Sequence, residues 1–557
     1  MGWGVFFACW AAAAAVTLAL GRDTSWDLRN YHYYNAFALL EGRWALDLAP
    51  ARMHSFLHPG LDLPFYLLTQ SPLNAWPRVI SVLQAGYAGL LAFLVLAVAN
   101  LACHGVAWRA TAASALVALF GLTGAATLPE VGTTYNDIQV GCLVIGALLA
   151  LLLAPAAEEA DQLGKADRLR LLAGVLAGAA TGLKLTAAFF APALAIVALL
   201  AMRGGIGPRA RAASLLTAAT MLSFLVVYGP WGWFLWERFD NPFGPMFNDV
   251  FRSPLFPLEG QRDERFLPDS LAEALIYPFL WAHRSEELVL EPSLADPRFA
   301  IGLSAVLLAV AIRAYSRRRR SGTQDAALAT GGPYSPAERA AARAEWAVIG
   351  FVLVGYAAWL GLFSILRYAL PIEVLLGIPI WAAARAALTA APRRGRGLPA
   401  PPWRAGATLC LGTALGIAAL VTEYPAHPRE PFTWQREPAG TAAMAVAPLS
   451  LPAESLVVMV GPAVSFIAPF LDAPGVRFVG GPNPEWAGAT TDPASYAARI
   501  LRAVQSHPGP TFVVLEFPDM YDEEAVAALG GSFDPASCRP VANNITIAVQ
   551  ICSWRQS

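Results

Sequence analysis

Residues 137–154 read DIQVGCLVIGALLALLLA. About 20 apolar residues in a helix cross the roughly 30 Å hydrocarbon core of a bilayer. Similar stretches recur along the 557-residue chain, which is 56% hydrophobic and 14% charged. Soluble proteins carry about 25% charged residues. The predicted spans are residues 3–20, 77–101, 110–128, 137–154, 171–183, 186–202, 213–230, 299–315, 344–362, 368–388 and 404–421.

The composition therefore predicts an all-α polytopic membrane protein with about eleven transmembrane helices. The formal net charge of -1 provides no basic field for nucleic acid. The first apolar stretch has no basic segment before it and no small-residue cleavage site after it. It is interpreted as a retained first helix, not as a cleaved signal peptide.

Stretch 171–202 is too long for one ordinary crossing, and Gly182, Lys184 and Thr186 interrupt it. Two short helices are therefore predicted, and four basic clusters then share one side, which is expected to be cytoplasmic. The clusters are Lys165, Arg168 and Arg170; Arg203, Arg209 and Arg211; Arg317, Arg318, Arg319 and Arg320; and Arg393, Arg394 and Arg396. The N-terminus is then cytoplasmic, and segments 21–76 and 231–298 are long external loops.

The membrane domain is predicted to cover residues 1–422. Residues 423–557 begin with a polar, proline-rich linker and continue with short apolar runs separated by two helical patterns. This alternation predicts a small external α/β domain. Cys538 and Cys552 both lie in it. They either pair, as an oxidising compartment allows, or are two unrelated thiols.

The loop after the first span combines an acid with several aromatic residues. On a regular helix, Asp27, Tyr31 and Tyr34 lie close to one face, while Arg29 and His32 lie on others. Tyrosines at this depth are typical of a helix at the membrane interface. That interpretation explains the tyrosines but not the acid, so a functional role for Asp27 stays open.

A second polar group in the same loop contains His54, His58 and Asp62 around a Pro-Gly turn. Two histidines four residues apart on one helix face can bind a metal ion. Pro59 interrupts that face, so histidines at the surface are the simpler expectation.

The fourth span is preceded by a short external loop that contains Glu130, Asn136 and Asp137. Acids near a helix N-terminus are favourable because of the helix dipole. The loop is therefore either a helix cap or a set of functional carboxylates, and the sequence favours neither.

Lys184 and Arg367 are the cations predicted to lie at membrane depth. The chain uses arginine almost everywhere, yet Lys184 is a lysine inside an apolar stretch. An ionisable residue there is costly, and it indicates a functional site unless the side chain reaches the interface. Arg367 and Tyr368 occupy a tight external turn, where they either anchor the turn or meet an anionic headgroup.

These pieces, in this order, resemble the GT-C superfamily of integral-membrane glycosyltransferases, which includes relatives of protein mannosyltransferases and aminoarabinose transferases. The likeness covers about residues 1–390. Its motifs are Asp27 with Tyr31; Glu130 with Asp137; the Gly-Leu-Lys-Leu-Thr break from Gly182 to Thr186; Asn-Pro-Phe-Gly-Pro from Asn241 to Pro245; and Arg367-Tyr368-x-x-Pro371. Leu28 replaces the second acid of the commoner Asp-Glu-x-x-Tyr form, which leaves the subfamily and any metal requirement open.

The resemblance implies inverting transfer of a sugar from a polyprenyl-phosphate donor to a lipid, glycan or protein acceptor. The reaction would occur on the periplasmic face of the bacterial inner membrane, as part of cell-envelope chemistry. Asp27 is implied as the general base. The implied phosphate-binding residues are Lys184 and Arg367, with Arg29 and His32 as lesser candidates. Glu130, Asp137 and Asn136 would orient the acceptor or hold a divalent cation such as Mg or Mn; Tyr31, His58, Asp62 and Tyr368 are candidate substrate contacts.

Three other functions use the same features. A transporter or flippase for a lipid-linked sugar would need the cations and aromatic residues but no base. A ligase that joins a polymer to a lipid carrier is an enzyme with similar requirements. A non-catalytic subunit would use its C-terminal domain to bind a partner. Replacement of Asp27 by Asn distinguishes the transferase from transport and scaffolding.

Overall fold

The computed structural model describes residues 2–556 except 109, 202–204, 259–262, 322–334, 391–402, 433–441, 462, 483–491, 517–519 and 547. Up to residue 421, the chain is mainly helical. The α-helices are α1 (Trp3–Leu20), α2 (Tyr33–Leu40), α3 (Leu63–Gln70), α4 (Pro77–His104), α5 (Ala112–Leu122), α6 (Asp137–Glu159), α7 (Leu163–Leu183), α8 (Phe190–Ala201), α9 (Ile206–Phe239), α10 (Asn248–Phe251), α11 (Leu271–Leu280), α12 (Arg298–Ser321), α13 (Pro336–Leu362), α14 (Leu370–Glu373), α15 (Gly377–Ala390) and α16 (Trp403–Val421).

Among the described residues, seven helices are long and apolar enough to cross a membrane, or up to eight if Leu366–Glu373 and Gly377–Thr389 form one bent span. This confirms a polytopic membrane protein. Every predicted span coincides with a helical segment, but the count of eleven is not confirmed. The reason is length and charge, because α5 has 11 residues and the first turns of α7 contain Lys165, Asp167, Arg168 and Arg170.

The predicted break at Lys184 is confirmed. Helix α7 ends at Leu183, Lys184 is extended with φ -146° and ψ 104°, and a 3-10 helix begins at Leu185. Before the break, Gly174, Gly178 and Gly182 face α9, where an added Cβ would approach α9 atoms to 2.5, 2.2 and 2.9 Å. Small residues four apart allow this close helix packing in membranes. The same packing places Lys184 at the end of the bundle where α6 begins.

The described basic residues of the first two clusters lie at the opposite end of the bundle. Arg170 pairs with Glu158, near the end of α6, and with Asp167. Arg211, at the start of α9, also pairs with Asp167. This common end is the one that the distribution of arginines predicts to be cytoplasmic. Arg203, Arg393, Arg394 and Arg396 lie outside the described residues.

The C-terminal domain is built on a mixed sheet. Its strands run in the spatial order β6-β4-β7-β10-β8; β6 and β7 are parallel to β4, and β10 is antiparallel to β7 and β8. The strands are β3 (Leu449–Ser450), β4 (Leu456–Met459), β5 (Leu471–Asp472), β6 (Arg477–Gly480), β7 (Thr511–Glu516), β8 (Gly531–Phe533), β9 (Arg539–Pro540) and β10 (Val549–Gln556), with helices α17 (Tyr496–Gln505) and α18 (Met520–Ala528). Cys538 and Cys552 form a disulfide, which resolves the alternative that the sequence left open.

Side chains alternate along a strand, so each face of the sheet carries its own set of residues. Both faces are covered by other parts of the chain. Val457 and Met459 of β4 face a core shared with Leu28, Tyr33 and Tyr34 of the first external loop. Leu456 and Val458 face a core shared with α17 and with the Tyr228–Phe239 end of α9. The C-terminal domain is therefore packed directly against the loop that carries Asp27.

Two backbone pairings strengthen this docking. Strand β1 (Arg22–Asp23) pairs antiparallel with β2 (Arg429–Glu430), which joins the exit of α1 to the segment after α16. Leu48 pairs with Val479 as an additional residue beside β6. The loop after α1 is thus held at its start and near its middle by residues that come more than 400 positions later.

Candidate active site

Asp27 lies immediately before a π-helical turn, Leu28–His32, in which Tyr33 N–H donates to Leu28 C=O. A π turn is wider than an α turn and is often found at functional sites. It brings Tyr31 and His32 towards Asp27, whereas Tyr34 points elsewhere and donates to Asp47 at 2.8 Å. The predicted shared face of Asp27, Tyr31 and Tyr34 is therefore wrong for Tyr34, because a regular helix was assumed.

The Asp27 carboxylate is bound by two residues. Its Oδ2 accepts a hydrogen bond from Tyr31 OH at 3.1 Å and from Arg367 Nη1 at 2.6 Å. Asp27 is buried, with 6% of its surface exposed, and Arg367 is half-buried. The pair brings together two predicted site residues that are 340 positions apart.

A second carboxylate–cation pair lies beside the first. Lys184 Nζ donates to Asp137 Oδ1 at 2.6 Å, at the first residue of α6. Lys184 Nζ lies 5.0 Å and Arg367 Cζ 5.5 Å from the centroid of the Tyr368 ring. Both cations are thus gathered around one aromatic residue, where a single anion can contact both.

His32 is oriented by a third carboxylate. Its Nδ1 lies 2.5 Å from Asp62 Oδ1, and Asn136 Nδ2 donates to the same oxygen at 3.0 Å. Asp62 and Asn136 come from different loops, and both are buried. This network joins the π turn to the loop before α6, so three predicted site residues meet here.

Several buried polar atoms of these residues have no hydrogen-bond partner. A buried polar atom without a partner is unusual in a folded protein and costs about 1–3 kcal/mol. The atoms are Glu130 Oε1 and Oε2, His32 Nε2, Asn136 Oδ1 and Asp137 Oδ2. All belong to residues predicted for the site, and this concentration is what a binding site for a polar ligand requires.

The loop that carries Glu130 is held in place by Arg429 and by a tight turn at Gly132. Arg429 donates to the carbonyls of Gly21 and Val131 and to that of Pro129. Gly132 has φ +77°, and a Cβ at this position would lie 2.2 Å from Thr17 Cγ2. Only glycine fits such a position without strain. Glu130 is therefore presented by a rigid support.

The pKa values of Asp27 and Glu130 are shifted in opposite directions. Burial raises the pKa of Asp27, but the charges of Arg367, His32 and His54 outweigh it, and the pKa is lowered to about 2. Burial, followed by repulsion from Asp137, holds the pKa of Glu130 well above its usual value. Asp27 is therefore ionised at neutral pH, while Glu130 tends to remain protonated.

The two histidines differ as well. For His32, burial disfavours the charged ring, but Asp62 and, more weakly, Asp27 outweigh it and raise the pKa. For His54, burial dominates and lowers the pKa to about 4, although Asp27 opposes it. His32 therefore titrates above its usual range, and His54 stays neutral at neutral pH.

Arg29 and His58 do not join the cluster. The Arg29 guanidinium pairs with Glu516 at the end of β7, in the C-terminal domain. His58 Nδ1 accepts a hydrogen bond from Gly60 N–H at 3.1 Å, so it stabilises the Pro-Gly turn. The expectation that His54 and His58 lie at the surface is also wrong, because both are half-buried.

The sequence suggested His54 only as a metal ligand or a surface histidine, and it did not single out Tyr135. The His54 ring stacks on Tyr31 with 5.1 Å between centroids, and Arg367 Cζ lies 5.2 Å from the Tyr135 ring. Tyr135 directly precedes Asn136 and Asp137 in the sequence, and its position beside these two predicted site residues could have indicated it. Among the described residues, no group of three or more His, Cys, Asp or Glu side chains is arranged to hold a metal ion.

The sequence matches no protein-family model and no curated protein. Among solved structures, it is similar to crystal structures of ArnT from Cupriavidus metallidurans, one bound to undecaprenyl phosphate and one in the apo state. The identities are 15% and 14%, and each alignment covers 99% of this chain and 98% of the other, with a TM-score of 0.44. Because a TM-score below 0.5 does not establish a shared fold, the site is interpreted from its own geometry.

Proposed function

We propose that this protein is a membrane glycosyltransferase that moves a sugar from a polyprenyl-phosphate donor to an acceptor hydroxyl on the external side of the membrane. The observation that carries the proposal is the pair of half-buried cations, Lys184 and Arg367, beside three carboxylates at one end of the helix bundle. A lipid-borne phosphate lies at the headgroup level, which is where the ends of membrane helices lie. The order of motifs along the chain supports the same function through its GT-C resemblance.

The two cations suit the leaving group of this reaction. The donor is a phosphodiester with one negative charge, and the released polyprenyl phosphate carries up to two. Cations that contact the phosphate therefore stabilise the transition state more than the bound donor, as catalysis requires. Lys184 and Arg367 are half-buried, and burial strengthens this effect.

Each of the two cations is paired with an acid. A phosphate that contacts Arg367 would compete with Asp27, and one that contacts Lys184 would compete with Asp137. Asp27 Oδ2 takes both of its hydrogen bonds, so Oδ1 can face an acceptor hydroxyl. Donor binding would thereby free the carboxylate that the resemblance assigns as general base.

The acceptor would lie between Asp27 and the loop before α6. Glu130 and Asn136 each present an unpartnered buried oxygen there, which can accept hydrogen bonds from acceptor hydroxyl or amide groups. Ser465 Oγ of the C-terminal domain donates to the Asn30 carbonyl in the π turn, which brings that domain close to Asp27. The acceptor class therefore remains lipid, glycan or protein, all of which carry hydroxyl groups.

We further propose the bacterial inner membrane as the location, with the N-terminus in the cytoplasm and the C-terminal domain in the periplasm. Basic residues at the end of the bundle opposite the site support this orientation. The disulfide between Cys538 and Cys552 also suits an oxidising compartment.

The test is release of free polyprenyl phosphate by the purified protein in lipid nanodiscs, with a panel of polyprenyl-phosphate sugars and candidate acceptors. We expect release by the wild type and a loss of about 100-fold or more in Lys184→Gln and Arg367→Gln, because each removes a charge from the transition state. Arg43→Gln is the matched control, since Arg43 also pairs with a buried aspartate on this side but outside the site. Binding of donor without release in any combination would favour a transporter instead.

A further inference from the structure

We propose that His32, oriented by Asp62, is the group that takes the acceptor proton during sugar transfer, while Asp27 positions the acceptor hydroxyl and pairs with Arg367. The inference rests on the proposed function and concerns the same site. It departs from the GT-C resemblance, which places the base at Asp27.

The geometry fixes the state of the His32 ring. Nδ1 lies 2.5 Å from Asp62 Oδ1, and two lone pairs cannot face each other at that distance, so Nδ1 carries a proton and donates it. Asn136 Nδ2 donates to the same carboxylate oxygen, which holds the Asp62 carboxylate in position beside the ring. In the neutral ring, the lone pair is therefore on Nε2.

His32 Nε2 is buried and has no hydrogen-bond partner, although 96% of the residue surface is covered. A buried imidazole nitrogen that serves only the fold is expected to have a partner. The Tyr31 ring lies 4.2 Å from the His32 ring, and Tyr31 OH donates to Asp27. The His32 ring is thus linked through Tyr31 to the carboxylate that would hold the acceptor.

A carboxylate, an imidazole and an attacking hydroxyl form a known catalytic arrangement, in which the carboxylate fixes the tautomer and stabilises the imidazolium. Here the acceptor O–H bond would break as its proton moves to Nε2. The acceptor oxygen would form a bond to the anomeric carbon, and the carbon–oxygen bond to phosphate would break with its electron pair left on the phosphate. The imidazolium then returns its proton to solvent or to the phosphate.

Asp27 is less suited to this step. Its ion pair with Arg367 stabilises the carboxylate, so the pKa near 2 makes it a weak base until the phosphate has displaced it. The pKa of His32 is raised by Asp62, against burial and the charge of Lys184. Tyr31, Asp27 and His54 also face His32, and none of them forms a hydrogen bond with its ring.

The experiment is the pH dependence of kcat/KM for polyprenyl phosphate release in nanodiscs. If His32 is the base, activity falls tenfold per pH unit on the acid side, below the pKa of His32, because the protonated ring cannot accept a proton. Asp62→Asn removes the charge that raises this pKa, so its acid limb is expected at lower pH. His32→Gln is expected to lose at least about 100-fold and to lose the acid limb.

His54→Gln is the matched control, because His54 lies in the same cluster but has no carboxylate on its ring. It is expected to keep the acid limb at the wild-type pH. An acid limb that persists unchanged in His32→Gln would overturn the inference and return the base to Asp27. A flat profile down to about pH 4 in the wild type would do the same, since only a group of low pKa fits it.

A second readout does not require turnover. The imidazole signals of the protein with and without polyprenyl phosphate are followed by NMR against pH, and His32→Gln identifies the signal that belongs to His32. We expect this signal to titrate above the usual 6.5 and to move to lower pH in Asp62→Asn. A His32 signal that does not respond to Asp62→Asn would overturn the inference, whereas an absence of release by the wild type would overturn the proposed function itself.

Discussion

Two buried aspartates of the loop after α1 have nearly the same partners and different surroundings. Asp27 accepts from Tyr31 and Arg367, and Asp47 accepts from Tyr34 and from Arg43. Each aspartate is 6% exposed, so burial does not distinguish them. The distinction lies in what surrounds each carboxylate.

The Asp47 carboxylate is fully used by the protein. Arg43 contacts both of its oxygens, at 3.0 and 2.7 Å, and Phe478 N–H donates to Oδ1 at 2.9 Å. Arg43 also donates to Val476 C=O. This cluster joins the loop to β6 of the C-terminal domain, and protein donors occupy both oxygens of the carboxylate.

The Asp27 carboxylate accepts hydrogen bonds from the protein through one oxygen, Oδ2. Its neighbours include unpartnered atoms of His32, Glu130 and Asp137. The comparison teaches that a buried tyrosine–aspartate–arginine triplet is not by itself evidence of a site. Unsatisfied polar atoms around the triplet are the better indicator, because folding alone gives no reason to leave them.

The largest expected effect is on activity, in the pair Asp27→Asn and Asp47→Asn. Asp27→Asn should reduce polyprenyl phosphate release by about 100-fold to 10,000-fold, because the carboxylate that positions the acceptor hydroxyl is lost, while the protein melts near the wild-type temperature. Asp47→Asn should lower stability by about 1–3 kcal/mol, because charged hydrogen bonds between loop and sheet are lost, with little effect on kcat. Release assays and thermal melts of both variants provide the measurement. A loss of activity in Asp47→Asn, with only a loss of stability in Asp27→Asn, would contradict this prediction.

The second comparison replaces each arginine by lysine. Arg43 uses its planar group on both oxygens of Asp47, which a lysine cannot reproduce, so Arg43→Lys should cost about 1–2 kcal/mol of stability. Arg367 contacts Asp27 through one nitrogen, so Arg367→Lys should fold normally and retain a point charge for phosphate. We expect it to lose roughly tenfold in release, less than Arg367→Gln. Equal losses in Arg367→Lys and Arg367→Gln would exclude a simple charge role.

The fold and the site were predictable from sequence to different degrees. The helices, the break at Lys184 and the strands of the C-terminal domain follow from local hydrophobic patterns and small residues, which act over a few positions. The partner of Asp27 does not, because Arg367 is 340 residues away and the sequence alone does not state contacts. The partner of Arg29 was not predictable for the same reason, since Glu516 belongs to another domain.

The π turn could not be predicted from the sequence for a different reason. Residues 28–32 have no proline or glycine to mark an irregular helix, and the turn depends on contacts with the C-terminal domain. A regular helix therefore placed Tyr34 on the face of Asp27 and His32 on another face. The contact between the rings of Tyr31 and His32 occurs within this wider turn.

Glu130→Gln provides a third, smaller effect. The raised pKa means that folded Glu130 keeps its proton above pH 4.5, where the unfolded chain loses it. Its contribution to stability is then complete below pH 4.5 and is lost as the pH rises towards the folded pKa, by about 1.4 kcal/mol per pH unit. Wild type and Glu130→Gln should melt together near pH 4.5, and the variant should be more stable at pH 8. Parallel curves over this range would show that Glu130 ionises normally.

The smallest expected effect tests the border between the two clusters. Arg29 lies in the π turn with the site residues, but it pairs with Glu516 of the C-terminal domain. In this it resembles Arg43, which pairs with Asp47, an acid that contacts β6. If contacts define the role, Arg29→Gln and Glu516→Gln should each lower stability, with a coupling of roughly 1 kcal/mol in the double-mutant cycle and little loss of lipid-phosphate binding. Polyprenyl phosphate affinity that falls in Arg29→Gln but not in Glu516→Gln would instead place Arg29 with Lys184 and Arg367, as the sequence predicted. Position along the chain would then have been a better guide than the observed ion pair.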